Sequence, residues 1–180
     1  MRLRGRRLTM VLTIVLLVVV GGGASAAWAL GKTRPSIIPD GYSAGPTGDD
    51  AVAVSTSAGL HPRAAEIQQT LQTYFDAINR RDFHAWLDVV GSDQAANQTA
   101  QDWTHAYSTT IDSNLMIADI ADDPLRVRTM FTSEQAAEFA PKRLPATCIN
   151  WDLTYLLTDE DGTLTLSGID PSTQSMTACP

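Results

Sequence analysis

Ile149, Trp151, Leu153, Tyr155 and Leu157 are five apolar residues at alternate positions, with Asn150, Asp152, Thr154 and Thr158 facing the other way. A period of two commits this stretch to a strand with one buried face, because successive side chains on a strand point to opposite sides. Asp159-Glu160-Asp161-Gly162 follows as a turn, and Thr163 to Ile169 is predicted to return as the antiparallel partner. A lone hairpin is not stable in water and needs more strands, or helices, over its apolar side. The rest of the chain has to supply that cover.

Further strand signals lie just upstream. Val127, Thr129 and Phe131 alternate with Arg126, Arg128 and Met130. Leu115 to Ala118 is a short apolar run, continued by Asp119 on one face and Ile120 on the other, whose length suits a strand although periodicity alone does not decide. The stretch from Ala136 to Pro145 reads as irregular.

Helical signals come earlier. Ile67, Leu71, Tyr74, Phe75 and Ile78 form one stripe behind Pro62, a residue suited to a first helical position. Asn79-Arg80-Arg81 closes that helix. Asp82 is placed to cap a second helix carrying Phe83, Trp86, Leu87 and Val90 on one face, with Gly91 at its end. A third segment, about 94 to 108, groups Ala96, Ala100, Trp103 and Tyr107. Helices first and antiparallel strands afterwards predict an α+β domain, with helices on one face of a curved sheet. No internal repeat is present.

The N-terminus sets the expected location. Arg2, Arg4, Arg6 and Arg7 precede an uncharged run from Leu8 to Leu30. As a helix that run is about 34 Å long, enough to cross a bilayer. Arginines before the span and none shortly after it predict residues 1–7 in the cytoplasm and the domain outside, with Trp28 near the far interface. The alternative is a cleaved signal peptide, since Leu8 to Val20 has the length of its apolar core and Ala24-Ser25-Ala26 the form of a cleavage site. No cysteine near residue 26 offers a lipid attachment point, and Arg6-Arg7 matches a twin-arginine signal only in its arginines. Both readings export the remainder.

Residues 31–61 carry three prolines and five glycines without any period and are predicted to be a flexible linker, with Ala51 to Val54 its one apolar stretch. The domain is expected from residue 62 to 180. There 7 basic residues stand against 17 acidic ones, a net charge of −10. That balance repels phosphate backbones and argues against nucleic acid as a partner. Two lysines against eleven arginines is a bias usual in high-GC bacterial genomes, as in actinobacteria. The Asn97-Gln98-Thr99 sequon is silent in such a host.

Cys148 and Cys179 are an even pair, which in an exported protein predicts a disulfide. Closing that loop is worth about 3.5 kcal/mol on the chain-entropy account. If Thr158 faces Thr163, strict register sets Cys148 opposite Thr173, so the tail after Pro171 has to bulge for Cys179 to arrive.

Tyr74-Phe-Asp-Ala-Ile-Asn-Arg-Arg-Asp-Phe-His-Ala-Trp-Leu87 resembles the opening helix pair of the NTF2-like superfamily, also called SnoaL-like or cystatin-like. The resemblance extends loosely over residues 64 to 169. It implies a cone-shaped barrel with a pocket between sheet and helices. The superfamily holds isomerases, cyclases and dehydratases as well as non-catalytic binding domains, so it implies a fold without one function. Homodimerisation through the sheet is compatible with it and required by nothing here.

In ketosteroid-isomerase-like members a tyrosine at the place of Tyr74 donates to a developing oxyanion, which makes Tyr74 a weak catalytic candidate. Those members also need a carboxylate base after the second helix. Here that segment offers only Asp93, a candidate helix cap, while Asp119 lies elsewhere beside a turn. Tyr74, Trp86, Trp103, Tyr107, Trp151 and Tyr155 are the candidate lining of an apolar pocket, against the commoner use of aromatic rings as core filling.

No pattern calls for a cofactor or metal. His61, His84 and His105 are isolated and lack ligand spacing. Asp159-x-Asp161-Gly162 has the opening spacing of a calcium loop but lacks its downstream ligands, and Asp122-Asp123-Pro124 fits a turn. Arg126 and Arg128 share a strand face that either clamps an anion or meets solvent. The expectation is a tethered extracytoplasmic binding or accessory domain that contacts an envelope protein or a small apolar ligand. The alternative is an exported isomerase or dehydratase acting on a small apolar substrate.

Overall fold

The computed structural model describes residues 48–180 together with Tyr42. The basic segment, the apolar span and residues 31–41 and 43–47 of the expected linker lie outside the described residues. Among the described residues no helix is long and apolar enough to cross a membrane.

Helix α1 (Ala64–Arg80) buries the stripe read from its sequence, with Ile67, Leu71, Phe75 and Ile78 inward. It begins two residues after Pro62, and Arg81 ends it in the left-handed conformation at φ 58°. That conformation costs a non-glycine residue about 1–2 kcal/mol. The Arg81 guanidinium, donating to the Asn79 and Ser108 carbonyls, ties the helix end to a distant loop. Helix α2 (Phe83–Leu87) starts as expected, with Asp82 Oδ1 accepting from the Ala85 N–H at 3.0 Å.

The expected third helix is two. Helix α3 (Ser92–Ala96) and helix α4 (Ala100–Ala106) are separated at Asn97–Thr99. Asn97 Nδ2 donates to the Asp93 carbonyl, and Thr99 Oγ1 accepts from the Asp102 N–H to restart the helix. Short polar side chains compete for backbone groups in this way and break a helix. Gly91, not Asp93, holds the cap position of α3.

Strand β1 (Ala53–Val54) runs parallel to β2 (Ile111–Ala121), and β2, β3 (Arg126–Glu134), β4 (Cys148–Glu160) and β5 (Thr163–Ile169) follow in antiparallel order. Strand β6 (Ser175–Ala178) adds to β4. The α+β class with helices packed on a sheet is as expected, whereas the sheet is mixed and open rather than a closed antiparallel barrel. Asp161 and Gly162 both take positive φ in the β4–β5 turn, the backbone that suits a two-residue hairpin.

The predicted linker ends too late. Val52 and Ala58 are buried, each 2% exposed, and Ala51 to Val54 docks on the domain. Two glutamines of α1 explain it: Gln72 Oε1 accepts from the Val52 N–H at 2.7 Å, and Gln68 Nε2 donates to its carbonyl at 2.6 Å. Long-range side chains thus satisfy a backbone whose own sequence has no strand period.

The tail bulges as the cysteine pairing requires. Ile169 faces Tyr155 and Ser175 faces Asp152, so six residue steps on this edge oppose three on β4. The excess brings Cys179 opposite Cys148, where its N–H donates to the Cys148 carbonyl. The two form a disulfide with a Cα–Cα distance of 5.4 Å.

Candidate functional site

The main core lies between α1 and the sheet, and a second apolar cluster joins α1, α2 and α4 around Trp86 and Trp103. Tyr74 packs against both. The six aromatic candidates divide accordingly. Trp86 and Trp103 stand 5.6 Å apart, Trp103 meets Tyr107 at 5.1 Å, and Tyr74 meets Tyr155 edge-on at 5.7 Å. Trp151 is on the far side of the core, stacked on Phe131 at 6.2 Å. These rings pack on one another or on Phe75, Phe83 and Phe131 and fill interior space.

Among these rings the structure places a carboxylate that sequence reasoning passed over. Asp112 is 3% exposed and faces inward from the start of β2. The Asn79 side chain grips its backbone on both sides, Oδ1 accepting from the Asp112 N–H at 2.7 Å and Nδ2 donating to its carbonyl at 2.9 Å. Ser133, directly opposite on β3, donates its hydroxyl to the Asp112 carboxylate.

Burial pushes the Asp112 carboxyl up to about 7, against the pull of the Ser133 hydroxyl and the Arg81 charge. Burial also pushes the Tyr107 hydroxyl up to about 12, aided by the Asp112 charge and opposed by its bond with Tyr74. Tyr74 and Tyr155 are raised well above the ordinary tyrosine value, burial first and neighbouring phenols and Asp112 after it. Tyr74 and Tyr107 are half-buried as whole residues.

At neutral pH the cluster is therefore three neutral phenols and a carboxyl divided between its two forms. Such a set donates hydrogen bonds to an oxygen atom and exchanges one proton near pH 7. An open groove of about 520 Å³, lined by Asp49, Asp50, Asn79, Arg80, Ile111 and Ser113, leads to Asp112.

Asp112 was hidden by a change of phase. Leu115 and Ile117 face the core, so strict alternation puts residue 113 inward and residue 112 outward. The register shifts between Ser113 and Met116, where Asn114 has φ 54°, and this bulge turns Asp112 inward. Only a polar residue next to a strand-like run hinted at it.

The other candidates have structural partners. Arg128 makes two bonds to Asp152, at 2.9 and 2.6 Å, and Arg126 reaches Asp170 at 3.9 Å, so neither is an unengaged clamp. Asp159 pairs with Arg63, and His61 lies 3.3 Å from Asp122. His84 is exposed, and His105 packs edge-on to Phe139. Asp119 is exposed on β2 near Arg128, and Asp93 lies in the first turn of α3. Among the described residues no group of histidine, cysteine and acidic side chains is arranged to hold a metal ion.

No protein-family model, no curated protein and no solved structure matches this chain.

Proposed function

We propose that this is an exported binding or accessory domain of the NTF2-like kind, held at the outer side of a bacterial membrane by the segment ahead of it. The disulfide between Cys148 and Cys179 carries the reading, because such bonds persist in oxidising compartments. The basic and apolar N-terminal residues agree with it. Its occupant is another envelope protein or a small apolar molecule. In favour of the small molecule, the indole N–H groups of Trp86 and Trp103 are buried without partners, so each retains a hydrogen bond to donate.

A second reading rests on a specific observation. Asp112, shielded beside Tyr74, Tyr107 and Tyr155, is the kind of group an isomerase or dehydratase uses to donate to an oxyanion. The substrate class is then a small apolar carbonyl compound.

Two measurements test these readings. A periplasm-active reporter fused after Pro180 should be active only on the outer side, and activity confined to the cytoplasm would remove the export reading. A strain lacking the gene should be restored by Tyr74→Phe and Asp112→Asn chains made at normal levels if the domain only binds. Failure of both to restore it selects the enzyme.

A further inference from the structure

Helix α1 packs on the face of the sheet that carries Phe131, Leu153 and Tyr155, and α2 and α4 pack in turn against α1. The opposite face is nonetheless closed to solvent along one strip. Met116 and Met130, facing each other across β2 and β3, are 7% and 6% exposed, and Thr132 is 0% exposed. Thr132 continues a polar row, accepting from Asn114 Nδ2 and donating to Asn150 Oδ1.

Tyr42 lies on this strip. Burial pushes its phenol up, with Thr132 opposing and the Asp152 charge adding. Its hydroxyl is buried beside Thr132. Gly48 and Asp49 lie at the edge of the same face. A Cβ on Gly48 would come within 1.8 Å of Asn114 Oδ1, so the backbone passes directly over that side chain, and the Asp49 carbonyl accepts from the Asn114 N–H at 2.8 Å.

We propose that the outer face of the sheet is a docking surface for this chain's own Tyr42, which acts as its latch. The strip of Met116, Met130 and Thr132 is covered from within the chain and is not a contact between copies.

Chymotrypsin and peroxide test this on the full chain in detergent. Cleavage after Tyr42 should be at least about tenfold slower in the native chain than in the denatured one, a protection equivalent to about 1.4 kcal/mol. Methionine oxidation, read by mass spectrometry, should rise severalfold at Met116 and Met130 in Tyr42→Ala while Met176 is unchanged. Cleavage after Tyr42 at the denatured rate, or unchanged oxidation in the variant, overturns the latch. Protection of the two methionines that vanishes on dilution, together with a dimer-to-monomer shift in sedimentation, also overturns it and assigns the face to a second copy. If Tyr42→Ala does not fold, the cleavage rate of the native chain decides alone.

Discussion

Asn79, in the last turn of α1, holds Asp112 of β2 by both its backbone N–H and its backbone carbonyl. One side-chain amide thus welds the first helix to the strand that carries the buried carboxyl. Each bond contributes about 1 kcal/mol net, so Asn79→Ala should lower stability by about 2 kcal/mol. Urea unfolding measures it, and a loss below about 0.5 kcal/mol would show that water replaces the amide without cost.

Asp112 makes stability fall as pH rises. Its folded value of about 7 lies above the ordinary aspartate value, so between them the unfolded chain has lost a proton that the folded chain keeps. The stabilisation from this group is complete below about pH 4 and is lost as pH passes through 7. Glu66, Asp159 and Asp170, all lowered, act in the opposite sense and in the acid range. Urea midpoints between pH 5 and 7.5 should therefore decline in the native chain and stay level in Asp112→Asn. A midpoint that rises over that interval would contradict the assignment.

The disulfide should be worth about 3.5 kcal/mol, the loop-closure entropy it removes from the unfolded chain. Cys148→Ser with Cys179→Ser should lose that amount and release β6 first, because among the described residues β6 pairs only with β4. Hydrogen exchange at Met176 and Thr177 reads the release. Alkylation of the unreduced protein should label neither cysteine.

Trp103 is the only buried residue of α4 and is 0% exposed. Trp103→Ala should cost about 3–5 kcal/mol through lost burial and an unfilled cavity. Trp103→Phe should cost much less, since the indole N–H has no partner to lose. Equal losses in the two variants would mean that an acceptor does meet that N–H, as the small-molecule reading requires.

The elements differ in how far their own residues announced them. The stripe on α1, the cap at Asp82, the β4–β5 hairpin and the Cys148–Cys179 pair were all readable, because each depends on a local period, a cap or an even count. The break at Asn97–Thr99 was missed because the helical spacing of Ala96, Ala100, Trp103 and Tyr107 continued across it. Strand β1 was missed because two residues cannot show a period, and its order comes from Gln68 and Gln72.

The amino-acid order alone determined the class of this domain, helices packed against a sheet, since side-chain periodicity is a property of each segment by itself. Tertiary structure decided that Asp112, and not Asp93 or Asp119, joins Tyr74, Tyr107 and Tyr155. A one-residue bulge at Asn114 reverses which side chains face inward, and that reversal exists only once β2 is paired with β3.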